Sequence, residues 1–379
     1  SSLASSPQHG ITACHCALML QRLFVVISVN CALSFGCFSG SFTAEFCCDV
    51  RKSSPILPGR DDGPRQLGDP SCWGGGPAGE VYSFSRCCVH ERWRRAGEDW
   101  AASGDHALCA QVVLRRLLER ELTPWPPQCS PLASILPNMD DVPERTSRLA
   151  VKVGAHLWPI WATGDLMEMT PGTLALAFEP DPSTSFQLMN IVRAYARTKV
   201  WVIPVAVADV VGLKATAPFH RYSEDGKYGS VLNSLLPSAG MQDIGIESGR
   251  VDVPVVSLFE VLRTFPCLAV VDVSSDAQGA DLDVVLSAGP QLSRVRRVTM
   301  EVRSSTSDSH GYVGQATKSY VVKTLTARGL RLGGCNATGS DWQDEQDCYF
   351  ARASHEPLSS FCKSRSSGER MFGFVSKGT

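Results

Sequence analysis

Residues Val271–Pro290 read VDVSSDAQGADLDVVLSAGP and join a buried strand to an amphipathic helix. The short, β-branched run Cys267–Val271 leads into this stretch and predicts a strand that is buried on both faces. Leu282, Val285 and Leu286 recur at helical spacing, which predicts a helix with one apolar face. The polar loop between strand and helix lies at the carboxyl end of the strand, where open α/β sheets bind their ligands.

Strands and helices alternate on both sides of this stretch. Apolar runs predict four further strands, at 149–153, 173–178, 200–207 and 295–302. A helix carrying Phe186, Leu188, Ile191 and Val192 follows the strand at 173–178. This alternation predicts a Rossmann-like, doubly wound α/β fold, with a mostly parallel sheet and right-handed crossovers. A cysteine-rich and largely irregular N-terminal region precedes it.

Small and acidic residues follow the predicted strands. Gly154-Ala155-His156 comes after the first strand, where a glycine lets the backbone pass close to a ligand. Glu179, at the tip of the second strand, is placed to accept both hydroxyls of a ribose. Asp209 follows the third strand, and Asp276 follows the strand of the opening stretch. These turns predict one ligand site along the carboxyl edge of the sheet.

The order of these segments resembles the FkbM-type methyltransferases, a branch of the S-adenosylmethionine-dependent Rossmann-like enzymes. The resemblance covers about residues 147–355. The segments that carry it are FEPDP (178–182), PVAVAD (204–209), VDVPVVSLFEVL (251–262), DAQGADL (276–282), the strand 298–302 that closes on Glu301-Val302, and EQDCYFAR (345–352).

The resemblance implies methyl transfer from S-adenosylmethionine to a hydroxyl of a sugar or another small molecule. It places Gly154 at the methionine end of the cofactor, Glu179 at the ribose, Asp209 near the adenine, and Asp276 beside the transferred methyl and the acceptor. Ala155 and His156 are also predicted to bind the cofactor, and Gln278 is predicted to be catalytic together with Asp276. Asp276 could take up the acceptor proton or ligate a metal, and the sequence leaves both roles open. It is also a candidate N-cap of the next helix, and Gln278 could serve only to shape the turn.

Some residues depart from the family pattern. Lys152 stands where the family usually has an acidic or amide residue, Trp158 where it has a second glycine, and His156 where it has asparagine. Ser274-Ser275 replaces a lysine-containing apolar pair. These departures support a second hypothesis, a catalytically degenerate domain in a secreted or membrane-anchored binding or scaffold protein.

A nicotinamide oxidoreductase fits poorly because the first turn lacks the G-x-G-x-x-G run. His220 is interpreted as a solvated loop residue rather than a general base.

The N-terminal part of the chain differs in composition from the rest. Eleven of the fifteen cysteines precede residue 130. Residues 1–36 contain the apolar run Leu23–Phe35, which is consistent with a signal peptide, a membrane anchor or a buried helix. Residues 37–90 hold two imperfect copies, CFSGSFTAEFCC (37–48) and CWGGGPAGEVYSFSRCC (72–88). For these copies, disulfide-stapled loops, zinc binding and reduced cysteines all remain open, with zinc the least favoured because no C-x-x-C pair exists.

The remaining segments complete the predicted organisation. Residues 91–145 are predicted to be a helix over Arg92–Leu122 and a proline-rich linker, residues 146–355 the FkbM-like domain, and residues 356–379 a flexible tail. A formal net charge of −2 argues against nucleic-acid binding, which needs a basic surface. The predicted partners are a small-molecule or glycan hydroxyl acceptor and, through the N-terminal apolar segment, a membrane. The predicted location is the secretory pathway or a membrane, and otherwise the cytoplasm; Asn336-Ala337-Thr338 fits a glycosylation sequon and is in keeping with secretion.

Overall fold

The computed structural model describes part of the chain, and the ranges are 74–75, 81–82, 91–119, 124–136, 142, 146–156, 172–195, 200–209, 215–222, 233–237, 247–304, 312–337 and 345–352. The leader 1–36, the first cysteine-rich copy, Trp158, the sequon residue Thr338 and the tail 356–379 lie outside the described residues. Of the second copy, the structure describes a short antiparallel ladder of β1 (Gly74–Gly75) with β2 (Val81–Tyr82).

Between residues 91 and 136, the structure describes three helices before the main sheet: α1 (Glu91–Ala102), α2 (His106–Glu119) and α3 (Ser130–Ile135), the last entered through a 3₁₀ turn at Pro127–Cys129. The sequence predicts one helix over Arg92–Leu122, and the structure divides it. Gly104 has a φ of +75°, a left-handed conformation that ends a helix readily. Ser103 Oγ accepts from the Asp105 amide at 3.2 Å, which fixes the break.

The helices of the predicted linker region 91–145 pack into the same hydrophobic core as the sheet. The Trp100 ring lies 5.7 Å from the Phe186 ring, measured between centroids, and Phe186 belongs to a helix of the α/β domain. A disulfide joins Cys109 of α2 to Cys129, and both residues are fully buried. The described part of this region is therefore built into the domain rather than extended as a spacer, because apolar helix faces must be covered.

The α/β domain follows. Its elements are β3 (Arg148–Val153), β4 (Thr173–Phe178), α4 (Pro182–Tyr195), β5 (Val200–Ile203), β6 (Ala206–Val207), β7 (Thr216–Tyr222), β8 (Glu247–Val256), α5 (Leu258–Thr264), β9 (Ala269–Ser275), α6 (Asp281–Leu286), a 3₁₀ helix at Gly289–Arg294, β10 (Arg297–Arg303), α7 (Lys318–Thr326), β11 (Arg331–Ala337) and β12 (Glu345–Ala351).

Seven of these strands form one sheet in the order β11-β12-β10-β9-β3-β4-β5. The neighbouring strands from β10 to β5 are parallel, and β12 runs antiparallel between β10 and β11. The strand order reverses between β3 and β9, which opens a crevice at their carboxyl ends. The predicted fold, a doubly wound and mostly parallel α/β sheet, is confirmed.

The predicted single strand 200–207 is wrong at its carboxyl end. The structure ends β5 at Ile203 and places β6 in a separate three-stranded sheet of order β6-β8-β7. Pro204 lies at the junction and has no amide hydrogen for a sheet ladder, so the main sheet stops before it. The second sheet extends the domain above the carboxyl edge of the main sheet.

The central strand β9 continues beyond the predicted apolar run and ends at Ser275. Ser274 and Ser275 are buried and pair with Lys152 and Val153 of β3. Polar side chains therefore enter the sheet at its carboxyl edge. Among the helices that the structure describes, we find none with the length and apolar character that a bilayer crossing requires.

Candidate active site

One cavity of about 100 Å³ lies at the carboxyl edge of the main sheet. The turns after β3, β4 and β9 line it together with β6 and the second sheet. The predicted site residues that line the cavity are Gly154, Ala155, His156, Glu179, Asp276 and Gln278. The sequence placed these residues in three separate turns, and the structure brings them together.

Gly154 allows the turns after β3 and β9 to touch. Its φ is +67°, and a Cβ built on it would lie 1.8 Å from the backbone oxygen of Asp276. The Asp276 amide in turn donates to the Val153 carbonyl oxygen at 3.0 Å. The glycine therefore serves the contact between two turns, in addition to leaving room for a ligand.

Glu179 connects the turns after β3 and β4. Its Oε2 accepts from the His156 amide at 2.6 Å, and its Oε1 accepts from the Asp181 amide at 2.9 Å. The residue is only 5% exposed. Burial, with the nearby charge of Asp181, raises the pKa of Glu179 to about 8, against the two amide hydrogen bonds that favour the ionised form. Each carboxylate oxygen keeps a second lone pair for a ligand hydroxyl.

His156 and Gln278 both have a backbone conformation that is uncommon for residues other than glycine. Their φ angles are +48° and +50°, and each lies in a turn that lines the cavity. Such conformations are often found at binding sites, where the surrounding structure holds them. Burial lowers the pKa of His156 to about 4, so its imidazole is neutral at pH 7.

Asp276 is the more accessible carboxylate of the cavity, with 39% of its side chain exposed. Its Oδ1 accepts from Gln278 Nε2 at 2.7 Å, and Lys152 Nζ lies 3.7 Å from its Oδ2. Lys152 is buried. The cation that departs from the family pattern is therefore paired with the site carboxylate, and the pair together carries no net charge.

The predicted N-cap role of Asp276 is wrong. The N-cap of α6 is Ala280, and no side chain caps it. The amides of Ala277 and Gly279 donate instead to Asp281, at 2.9 and 3.3 Å, and Ser275 Oγ donates to the same carboxylate at 2.7 Å. Burial raises the pKa of Asp281 to about 6. Asp276 is thus left free of the helix terminus.

Asp209 and His220 lie away from the cavity lining. Asp209 is exposed just after β6, and the structure does not bring it to the other predicted residues. His220 is buried in β7, and its Nδ1 lies 3.1 Å from Glu247 Oε1. The interpretation of His220 as a solvated loop residue is therefore wrong, because the second sheet covers it.

Several residues around the site are not among the predicted site residues. Phe219, Asn233 and Leu235 line the cavity from the second sheet and the segment 233–237. Asp181 is buried, accepts from the Thr184 amide at 2.8 Å and pairs with Arg221 Nε at 2.7 Å. The FEPDP motif contains Asp181, but its partner is distant in sequence and no local pattern points to it.

A buried pair of carboxyl groups lies behind Asp276. Glu301 of β10 hydrogen-bonds Glu345 of β12, and burial followed by mutual repulsion raises the pKa of Glu301 well above its ordinary value. Burial raises the pKa of Glu345 to about 7. Within the described ranges, no three His, Cys, Asp or Glu side chains are arranged to hold a metal ion.

No protein-family profile matches the chain, and no curated protein matches it. Solved structures match at low similarity. A magnesium protoporphyrin IX methyltransferase of Synechocystis PCC 6803 with bound S-adenosylmethionine is 8% identical, with a TM-score of 0.30, over 55% of this chain and 72% of that one. Fibrillarin of Aeropyrum pernix with S-adenosyl-L-methionine is 13% identical, with a TM-score of 0.28, over 56% of this chain and 69% of that one. A METTL16 methyltransferase domain is 11% identical, with a TM-score of 0.30, over 66% of this chain and 96% of that one.

The fold is Rossmann-like. This assignment follows from the mostly parallel sheet and from the reversal of strand order between β3 and β9. The similarity to the solved structures is distant and adds nothing about cofactor or substrate. The FkbM assignment stays a prediction from the sequence motifs.

Proposed function

We propose that the protein is an S-adenosylmethionine-dependent methyltransferase of the FkbM type that methylates a hydroxyl of a sugar or another small molecule. The observation that supports this most is the convergence of Gly154, Glu179 and Asp276 on one cavity at the strand-order reversal of a Rossmann-like sheet. Fold alone does not specify a reaction, so the proposal rests on the site.

The side chains present suit the cofactor chemically. Glu179, at the end of β4, offers unused lone pairs to the ribose hydroxyls. An apolar surface for the adenine ring is supplied by Ala206, Val207 and Phe219. Because Lys152 is paired with Asp276, its positive charge is compensated where a sulfonium would lie.

S-adenosylmethionine supplies an electrophilic methyl group on a sulfonium sulfur. The residues of the chain align the acceptor oxygen with that group and exclude water. Asp276 is the accessible carboxylate and is placed to take up the acceptor hydroxyl proton. Gln278 holds the Asp276 carboxylate in place.

Isothermal titration with S-adenosylmethionine and S-adenosylhomocysteine tests the proposal. At pH 9, above the pKa of Glu179 at about 8, we expect binding of both compounds and about a tenfold loss of affinity in Glu179→Gln, because the amide can accept from only one ribose hydroxyl where the carboxylate accepts from two. Glu119→Gln, an exposed position at the end of α2, is the matched control and should bind as the wild type does. An equal affinity of Glu179→Gln and wild type would contradict the assigned role of Glu179.

The size of the cavity favours a second candidate, a degenerate domain that serves binding or scaffolding. A volume of about 100 Å³ is below the roughly 300–1,000 Å³ that is usual for small-molecule sites. Binding of a nucleoside therefore requires Phe219, Leu235 or neighbouring side chains to move. Absence of binding to both compounds at millimolar concentration would support this candidate over the enzyme.

We also propose that the protein resides in the secretory pathway or on a membrane facing an oxidising compartment. Two disulfides support this, Cys109–Cys129 and Cys335–Cys348, since disulfides rarely persist in the cytoplasm. Non-reducing mass mapping of the protein from secreting cells tests the pairing. Free thiols at these four cysteines would contradict it.

A further inference from the structure

A hydrogen-bonded chain leads from the cavity to the segment that follows β10. Tyr312 Oη donates to Gln278 Oε1 at 2.9 Å, and Gln278 Nε2 donates to Asp276 Oδ1 at 2.7 Å. On the other side of the carboxylate, Lys152 Nζ lies 3.7 Å from Oδ2. Asp276 is therefore held at both oxygens, although 39% of its side chain is exposed.

The Asp276 carboxylate determines which end of the Gln278 amide faces it. A carboxylate only accepts hydrogen bonds, so the amide nitrogen faces Asp276 and the amide oxygen is left to accept from Tyr312. The tyrosine hydroxyl therefore holds the far corner of the amide group. Without that hydroxyl, the amide keeps only its bond to Asp276, and the Gln278 side chain can rotate together with the carboxylate.

Tyr312 is itself fixed in position. It is 4% exposed and packs against Gly279, where an added Cβ would lie 2.6 Å from the Tyr312 Cβ. Burial raises the pKa of Tyr312 well above its ordinary value, so the hydroxyl keeps its proton and remains a donor.

The turn that carries Gln278 is also hydrogen-bonded to the segment 233–237. Ser234 Oγ donates to the Gln278 carbonyl oxygen at 2.7 Å. The Val313 amide donates to the Pro237 carbonyl oxygen at 3.0 Å, so the segment 233–237 is hydrogen-bonded both to Gln278 and to the residue next to Tyr312. The turn after β9, the segment 233–237 and the segment that contains Tyr312 are therefore joined by hydrogen bonds around the Asp276 carboxylate.

We propose that Tyr312 is a positioning residue, which acts through Gln278 to aim the Asp276 carboxylate into the cavity. The inference rests on the proposed function, because it assumes that the transferred methyl group lies in front of Asp276. Tyr312 does not line the cavity, so its effect on a ligand must pass through the two side chains between them.

Sinefungin provides a test that needs no known acceptor, because it carries an amine in place of the methylsulfonium. An aimed carboxylate should hold this ammonium by a charge-assisted hydrogen bond, so the wild type should bind sinefungin at least about tenfold more tightly than S-adenosylhomocysteine. In Tyr312→Phe, we expect the sinefungin affinity to fall about tenfold, and the S-adenosylhomocysteine affinity to stay within about twofold. Titration calorimetry measures both.

Controls separate positioning from a general loss of structure. Tyr320→Phe, on α7 with 57% exposure, should leave both affinities unchanged. If Tyr312→Phe does not fold, Gln278→Met removes the same link and should show the same selective loss. An unchanged ratio of the two affinities in the folded variant, or no preference for sinefungin in the wild type, would overturn the inference. Failure of both compounds to bind the wild type would instead reject the proposed function.

Discussion

Replacing Gly154 with alanine separates two reasons for a glycine in the first turn. The left-handed φ of +67° costs an alanine about 1 kcal/mol. In addition, the new Cβ would lie 1.8 Å from the Asp276 backbone oxygen. Real Cβ atoms do not approach another heavy atom closer than about 3.0 Å, so one of the two atoms must move. One of the two turns must then shift by more than about 1 Å, and overpacking of this kind costs about 1–3 kcal/mol.

We therefore expect Gly154→Ala to lower the free energy of unfolding by about 2–4 kcal/mol, as measured by urea denaturation. Gly104→Ala is the matched control, because Gly104 has a φ of +75° and no atom within 4 Å of an added Cβ. It should lose only the conformational part, about 1 kcal/mol. If Gly154→Ala costs no more than Gly104→Ala, the close contact between the turns after β3 and β9 is wrong.

Two further predictions concern stability. The pKa of Glu179 rises from 4.5 to about 8 on folding, so the folded state binds the extra proton and stability falls as the pH rises through this range. Glu179→Gln has no titrating group at this position, so the stability of the wild type relative to this variant should fall between pH 4.5 and pH 8, by at most about 5 kcal/mol. An equal pH dependence of the two proteins in thermal unfolding would refute this. The Cys109–Cys129 disulfide closes a loop of 20 residues, so the double variant Cys109→Ala, Cys129→Ala should lose about 3 kcal/mol in urea denaturation. A loss near zero would contradict the pairing.

The sequence alone determined the alternation of strands and helices, because buried strands and amphipathic helices leave distinct local patterns. It also located the turns that line the cavity, since polar residues at strand ends are a local signal. Gly154, Glu179 and Asp276 line one cavity because the carboxyl ends of parallel strands share one edge, whereas Asp209, which the sequence grouped with them, does not line it.

Other features depend on residues that are far apart in the chain, and no local pattern reveals them. The pairing of Lys152 with Asp276 joins neighbouring strands 124 residues apart, and it gives a structural partner to a lysine that the sequence indicated only as a departure. The contact of Tyr312 with Gln278 joins the segment after β10 to the turn after β9, and it depends on the pairing of these two strands in the sheet. The turn before α6 is held by Asp281, which accepts from Ser275 Oγ and from the Ala277 amide, so Asp276 takes no part in it. Tertiary packing, which fixes distances between remote side chains, decided which carboxylate remains accessible in the cavity.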